Sequence, residues 1–287
     1  CTRGAPGSSS KLRQAISMAI DADEYIQLIV QGNGQKAEGI ISPGVFGDDE
    51  KYKNPYRTTN IEKAKQLLAE AGYPDGNDPK TGKKLVLGYD NSSTTAIGMQ
   101  QVALVQRQIE RIGIKVESRS TNSNQFQERL LKGQHQFIFY GWFADYPDPE
   151  NFVFLLYGPN KKPGPNAASY ANTEYDKLFE QMRVMDDSPE RRAIIDKMQA
   201  IIVEDCPWIP IYHSMTMGLS YDWTSMNSLV DSMYPNGNTN QPIGLVWAWQ
   251  SLVGGGPLTA PAKDSNYTYQ DIIILMSDGL NTAARWY

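Results

Sequence analysis

Three carboxylates crowd the segment Gly141-Trp-Phe-Ala-Asp-Tyr-Pro-Asp-Pro-Glu150: Asp145, Asp148 and Glu150. Acidic groups this close can share acid/base work, hold a cation or close a turn. Glycoside hydrolysis needs two of them facing each other across a bond at about 5–9.5 Å, and no sugar-site pattern accompanies them. The two prolines make the segment a shaped loop, in which Asp148 and Glu150 read as turn and helix-cap residues. His213-Ser214 invites a hydrolase reading. A nucleophilic serine needs a tight elbow and a histidine oriented by an acid. No Gly-x-Ser-x-Gly elbow is present, and neighbours on a strand point opposite ways, so His213 reads as structural. Cys206, between Asp205 and Pro207, reads as a small buried hydrophobe. With two histidines and two cysteines in all, neither a zinc cluster nor a disulfide scaffold is expected. The chain is read as a non-enzyme with no cofactor.

The elements that must position this loop follow from periodicity and punctuation. Leu12, Ala15, Ile16, Ala19 and Ile20 recur at helical spacing. Asp21 with Glu24 opens a second helix in capping-box style, and Gly32 and Gly34 end it. Asn60 caps a helix with Ile61, Ala64, Leu67, Leu68 and Ala71 on one face, stopped by Gly72 and Pro74. Residues 84–89, 114–117 and 136–142 read as strands. Residues 96–112 and 124–131 read as the helices between them, an α/β alternation around a sheet. The last strand delivers Tyr140 and Trp142 to the acidic loop, with Phe139 and Phe143 expected to alternate inward. A short helix over 152–157, a Pro/Gly/Asn loop over 158–172, and helices over 173–185 and 189–204 follow. The second of these has Ser188 as cap and Pro189 at its first position. Residues 208–212 and 217–221 read as strands.

The chain has 287 residues and a net charge of −5. It carries no basic block of the kind nucleic acid requires. No apolar run approaches the ~20 residues of a membrane span. Residues 1–10 are Gly/Ser/Pro-rich and read as a flexible leader. The first residue is Cys1, as in a lipid-tethered mature lipoprotein, so a membrane tether through Cys1 is one expectation. One acyl chain alone holds a membrane weakly. Charge falls away after Trp223: residues 224–287 hold only Asp231, Lys263, Asp264, Asp271, Asp278 and Arg285. That shift marks a second segment of different character.

Arg13-Gln-Ala-Ile-Ser-Met-Ala-Ile-Asp21 resembles the opening of the C-terminal lobe in the peptide/nickel family of extracytoplasmic solute-binding proteins. Further matches occur in order: Ala64-Lys-Gln-Leu-Leu-Ala-Glu-Ala-Gly-Tyr-Pro-Asp-Gly76, Ile112-Gly-Ile-Lys-Val-Glu117, Gly141-Trp through Phe152, Tyr175-Asp-Lys-Leu178 and Pro207-Trp-Ile-Pro-Ile-Tyr-His213. The resemblance spans about 11–223 and implies an α/β fold, one lobe of a type II periplasmic-binding-protein architecture. It implies capture of short peptides outside the cytoplasm for an ABC-importer permease. Nickel, haem, opine and sugar receptors share the scaffold. Asp145 occupies the place at which peptide-binding members pair with the ligand's α-ammonium group. Trp142 and Tyr140 would line the cleft, and Asn166 and Tyr170 would border it. Family members close two lobes on the ligand, and only ten residues precede the resembling stretch here.

The tail resembles the second half of a von Willebrand factor type A domain of the pilus-assembly kind. The resemblance rests on Asn236-Gly-Asn-Thr-Asn-Gln-Pro-Ile-Gly-Leu245 and Ile272-Ile-Ile-Leu-Met-Ser-Asp-Gly-Leu-Asn-Thr282. It implies Thr239 and Asp278 as an incomplete metal site and an incomplete α/β tail over 224–287. Asp90-Asn-Ser92-Ser-Thr94 mimics that family's first metal motif but lies in the receptor-like part, and is read as coincidence. The alternative functions are a metal-dependent adhesion or pilus-associated module, or a chimeric fragment with no function of its own.

Overall fold

A computed structural model describes residues 9–215. In chain order the elements are α1 (Ser10–Ala19), α2 (Ala22–Leu28), β1 (Gly34–Lys36), α3 (Ile61–Glu70), β2 (Val86–Asn91), α4 (Ala96–Glu110), β3 (Lys115–Ser120), α5 (Ser123–Leu131) and β4 (Phe137–Ile138). Then come α6 (Glu150–Val153), α7 (Thr173–Met182), α8 (Pro189–Asp205) and β5 (Tyr212–Ser214). Among these residues, compact packing groups 9–142 with 147–215 and leaves 143–146 outside that unit.

Side-chain caps fix the starts of every helix but α1 and α6. Asn60 accepts the Lys63 N–H at 2.9 Å, and Ser188 accepts the Arg191 N–H at 3.1 Å. At α2 the box is half made. Asp21 accepts the Glu24 N–H at 2.9 Å, but the Glu24 carboxylate turns to α4, where Arg107 and Gln108 reach it at 2.6 and 2.7 Å. The Asp21 N–H goes to Gln108 Oε1 at 3.2 Å instead. The local cap is thereby traded for a tie between two helices. Gly113, at φ 97°, ends the α4 turn where a Cβ would stand 2.6 Å from the Asp75 carbonyl, so no other residue fits there.

The main sheet has the order β3-β2-β4, all parallel, and β1 pairs antiparallel with β5. One core lies between the main sheet and α1, α3 and α4, around Leu12, Ile16, Leu68, Tyr89, Val105 and Ile109. A second joins α6, α7 and α8 through Val153, Leu156, Tyr175, Phe179, Ile195 and Met198.

Two strands differ from the sequence reading. The strand expected over 136–142 pairs with β2 only at Phe137 and Ile138. Beyond that point the Trp142 indole N–H is donated to Asn151 Oδ1 at 2.9 Å and its ring meets Phe154, which draws the chain off the sheet edge. Phe139 stacks on Tyr25 as expected, whereas Phe143 is exposed. The strand expected over 208–212 starts only at Tyr212, because Pro207 and Pro210 have no N–H for a ladder. The strand expected over 217–221 lies outside the described residues.

β2 sits between strands reached from opposite sides, so the chain order reverses at the β2–β4 boundary. In parallel sheets the crevice beyond the carboxyl ends of such strands is where ligands bind. The chain leaving β4 there runs directly into Tyr140, Trp142 and the acidic loop. Among the described residues no helix is long and apolar enough to cross a membrane.

Candidate functional site

The carboxyl end of β2 is Asp90-Asn91. Asp90 is buried, and its oxygens receive Arg119 Nε and Nη2 at 2.6 and 2.8 Å and Arg129 Nε at 3.0 Å. Parallel register puts Arg119 directly beside Asp90, and α5 brings Arg129 over them. Asn91 faces the other way. Its Oδ1 accepts from the Ser93 N–H and the Ser120 hydroxyl, while its Nδ2 is buried without a partner. The metal-motif mimic at 90–94 is thus a strand end whose carboxylate two guanidinium groups already hold. Among the described residues no group of three or more His, Cys, Asp or Glu can hold a metal. The expected metal residues Thr239 and Asp278, and the tether residue Cys1, lie outside the described residues.

In the loop after β4, Tyr140 is exposed and Trp142 half-buried, with its indole N–H on Asn151. Asp145 is exposed, within Phe143–Tyr146. Asp148 is a turn residue as expected, accepting the Glu150 N–H at 2.8 Å. It does a second job that sequence reasoning missed. Arg191 of α8 donates to it at 2.7 Å, to Asp187 at 2.6 Å and to the Met182 carbonyl at 3.2 Å. Arg191 therefore ties the loop's end to α8. The two partners lie 43 residues apart, so no local pattern announces the pair.

Asn166 and Tyr170, expected at the cleft border, have their polar groups engaged within the chain. Asn166 is fully buried; its amide donates to the Tyr157 and Tyr170 carbonyls and its Oδ1 accepts the Tyr170 N–H. The Tyr170 hydroxyl donates to Asp205 at 2.5 Å, and burial together with that carboxylate raises its pKa well above the ordinary phenol value. Asp205 also receives Asn172. These side chains lock the 158–172 loop onto α8, because their polar atoms are already engaged.

His213 Nδ1 lies 3.5 Å from Ser42 Oγ, and Ser214 is exposed. Burial lowers the imidazole pKa below 6.5, with Asp48 opposing. Cys206 caps α8 in a left-handed turn, and burial pushes its thiol up to about 12. A thiol so placed is not a nucleophile at neutral pH.

The model of the bacterial extracellular solute-binding proteins, family 5 middle region, matches residues 2–164. The chain belongs to this family. Heme-binding protein A of Haemophilus influenzae is 31% identical over 215 residues, which are 75% of this chain and 38% of that protein. Two structures of family proteins superpose on the chain. One is the periplasmic binding protein DppA of Helicobacter pylori in complex with the peptide STSA, at 30% identity and a TM-score of 0.63, covering 72% of this chain and 38% of that one. The other is a dipeptide-binding protein from Pseudoalteromonas in complex with Met-Leu, at 29% identity and a TM-score of 0.64, covering 73% and 40%. The chain thus spans about two fifths of the length of these family proteins, and the α/β fold described above is theirs.

Proposed function

We propose that the chain is part of a receptor that captures short peptides outside the cytoplasm and delivers them to an ABC-importer permease. One observation carries the reading: the loop bearing Tyr140, Trp142 and Asp145 leaves the carboxyl end of the sheet at the point where strand order reverses. The peptides STSA and Met-Leu bound to the two structural relatives support it. Asp145 would pair with the peptide's α-ammonium group, and a charge-assisted bond of this kind is about twice as strong as a neutral one. Trp142 and Tyr140 would cover the ligand, while Asn166 and Tyr170 hold the neighbouring loop in shape. Residues 11–223 would form the receptor lobe and 224–287 a separate segment.

The reading is tested by titrating the chain with tri-alanine, haem and a nickel chelate, following amide and indole NMR signals. Small-ligand affinity depends on burial, and the chain spans about two fifths of its relatives. Tri-alanine is therefore expected to bind in the millimolar range, with shifts at Trp142. Micromolar binding of haem or the chelate, with the peptide leaving the spectrum unchanged, would overturn the assignment.

A further inference from the structure

The Asp90 cluster has no role in the reading above. Asp90 is deeply buried, and Arg119 grips both of its oxygens with Nε and Nη2 while Arg129 Nε shares Oδ1. Arg129 Nη2 is further fixed on the Gln134 carbonyl at 2.6 Å. One carboxylate against two guanidinium groups leaves one positive charge over. Among the described residues the neighbouring acids are engaged elsewhere: Glu117 binds Lys115 and Glu128 binds Lys132. Nη1 of each arginine makes no hydrogen bond among the described residues, and half of the Arg119 side chain is exposed.

The arrangement suits recognition better than burial alone would. A long arginine normally loses rotamer freedom when it grips a ligand. Here Asp90 has already fixed both side chains, so their unused N–H groups are held in place before anything binds. A planar guanidinium presents paired donors that match a carboxylate's two oxygens. The cluster also stands where a ligand is expected. Asp90 is in register with Ile138, two residues before Tyr140, at the carboxyl end of the sheet.

The geometry points to Arg119 and Arg129 as a recognition site for a ligand carboxylate, with Asp90 as the positioning residue beneath them. This deepens the solute-capture reading and rests on it: the solute carries a free carboxylate, as an unblocked peptide does.

The test follows arginine Nε–Hε NMR signals of the full chain during titration with acetate, at constant ionic strength set by chloride. Arg107, exposed and paired with Glu24, serves as the internal control. Arg119 and Arg129 are expected to shift along one saturating curve while Arg107 does not. Arg119→Gln is expected to weaken acetate binding about tenfold or more. Arg119→Lys, which keeps the charge but not the fork, should weaken it several-fold and guards against misfolding of the first variant. Linear shifts shared by Arg107, or an unchanged isotherm in both variants, would overturn the site. Tri-alanine and its C-terminal amide then separate the two claims. Equal, saturable binding of both sinks the carboxylate site and leaves peptide capture standing. Saturation by acetate with no binding of either peptide leaves the site standing and sinks peptide capture.

Discussion

Two ion triads of opposite sense hold chain segments in place among the described residues. At the carboxyl end of the sheet, a carboxylate that is 2% exposed sits under two arginines that are 51% and 25% exposed. Behind the acidic loop, Arg191 is 4% exposed and sits between Asp148 and Asp187, at 34% and 59%. Each triad buries its central charge and leaves the opposite sign in excess at the surface. The first excess is positive and lies at the carboxyl end of a parallel sheet. The second is negative and lies where a loop is tied to a helix. The same physics, a buried charge that must be paired, holds a strand end in one place and, as proposed above, readies two arginines there for a ligand, while in the other it ties a loop to a helix.

The comparison is broken most sharply by stripping the partners from each buried centre. Arg119→Gln with Arg129→Gln leaves Asp90 buried and unpaired, and its short side chain cannot reach water. A loss of about 3–5 kcal/mol is expected in urea unfolding. Asp148→Ala with Asp187→Ala strands Arg191 likewise. Its long stem can carry the guanidinium outward, and the Met182 carbonyl remains bound, so a smaller loss of about 1–3 kcal/mol is expected. Equal losses in the two double variants would contradict this ranking.

A gentler probe is pH. Burial lowers the folded-state pKa of both His135 and His213 below 6.5. The unfolded chain then binds more protons than the folded one once pH falls below about 6.5. Stability from this source is complete above that value and declines as pH drops through the folded-state values. The urea midpoint should fall between pH 7.5 and 5.5, and His135→Asn with His213→Asn should flatten the slope. A midpoint that rises on acidification would mean that the imidazoles gain a partner when charged. The smallest effect belongs to Lys115 and Glu117, whose nitrogen and oxygen stand at 2.6 Å but in full solvent. Lys115→Ala should leave the melting temperature unchanged within error.

The sequence showed the caps at Asn60, Asp21 and Ser188 because a cap is a local event between residues three apart. It misjudged 136–142 and 208–212 for reasons that are not local. The first run of apolar residues looks like a strand, but among the described residues only 137 and 138 pair with β2, and the Trp142–Asn151 bond turns the rest away. The second contains Pro210 and follows Pro207, and their effect depends on which side of the chain faces β1. Phe143 fitted an inward alternation only while the strand was assumed to continue. Asn166 sat in a Pro/Gly/Asn loop that suggested a cleft rim, and only the folded loop shows its amide engaged by Tyr157 and Tyr170. Asp90 was noticed for a metal pattern, yet its actual partners come from strand register and from α5, which spacing does not reveal.

The central claim is that the loop leaving β4 captures the amino end of a peptide, and a double cycle on Asp145 tests it most directly. Tri-alanine and N-acetyl-tri-alanine are titrated into the chain and its Asp145→Ala variant, with the Trp142 indole N–H as reporter. Removing either the carboxylate or the ammonium group should weaken binding at least tenfold, and removing both should cost little more than removing one. Independent, additive losses, or an Asp145→Ala variant that binds tri-alanine as well as the unaltered chain does, would show that Asp145 is a turn residue and that the peptide's amino end is held elsewhere.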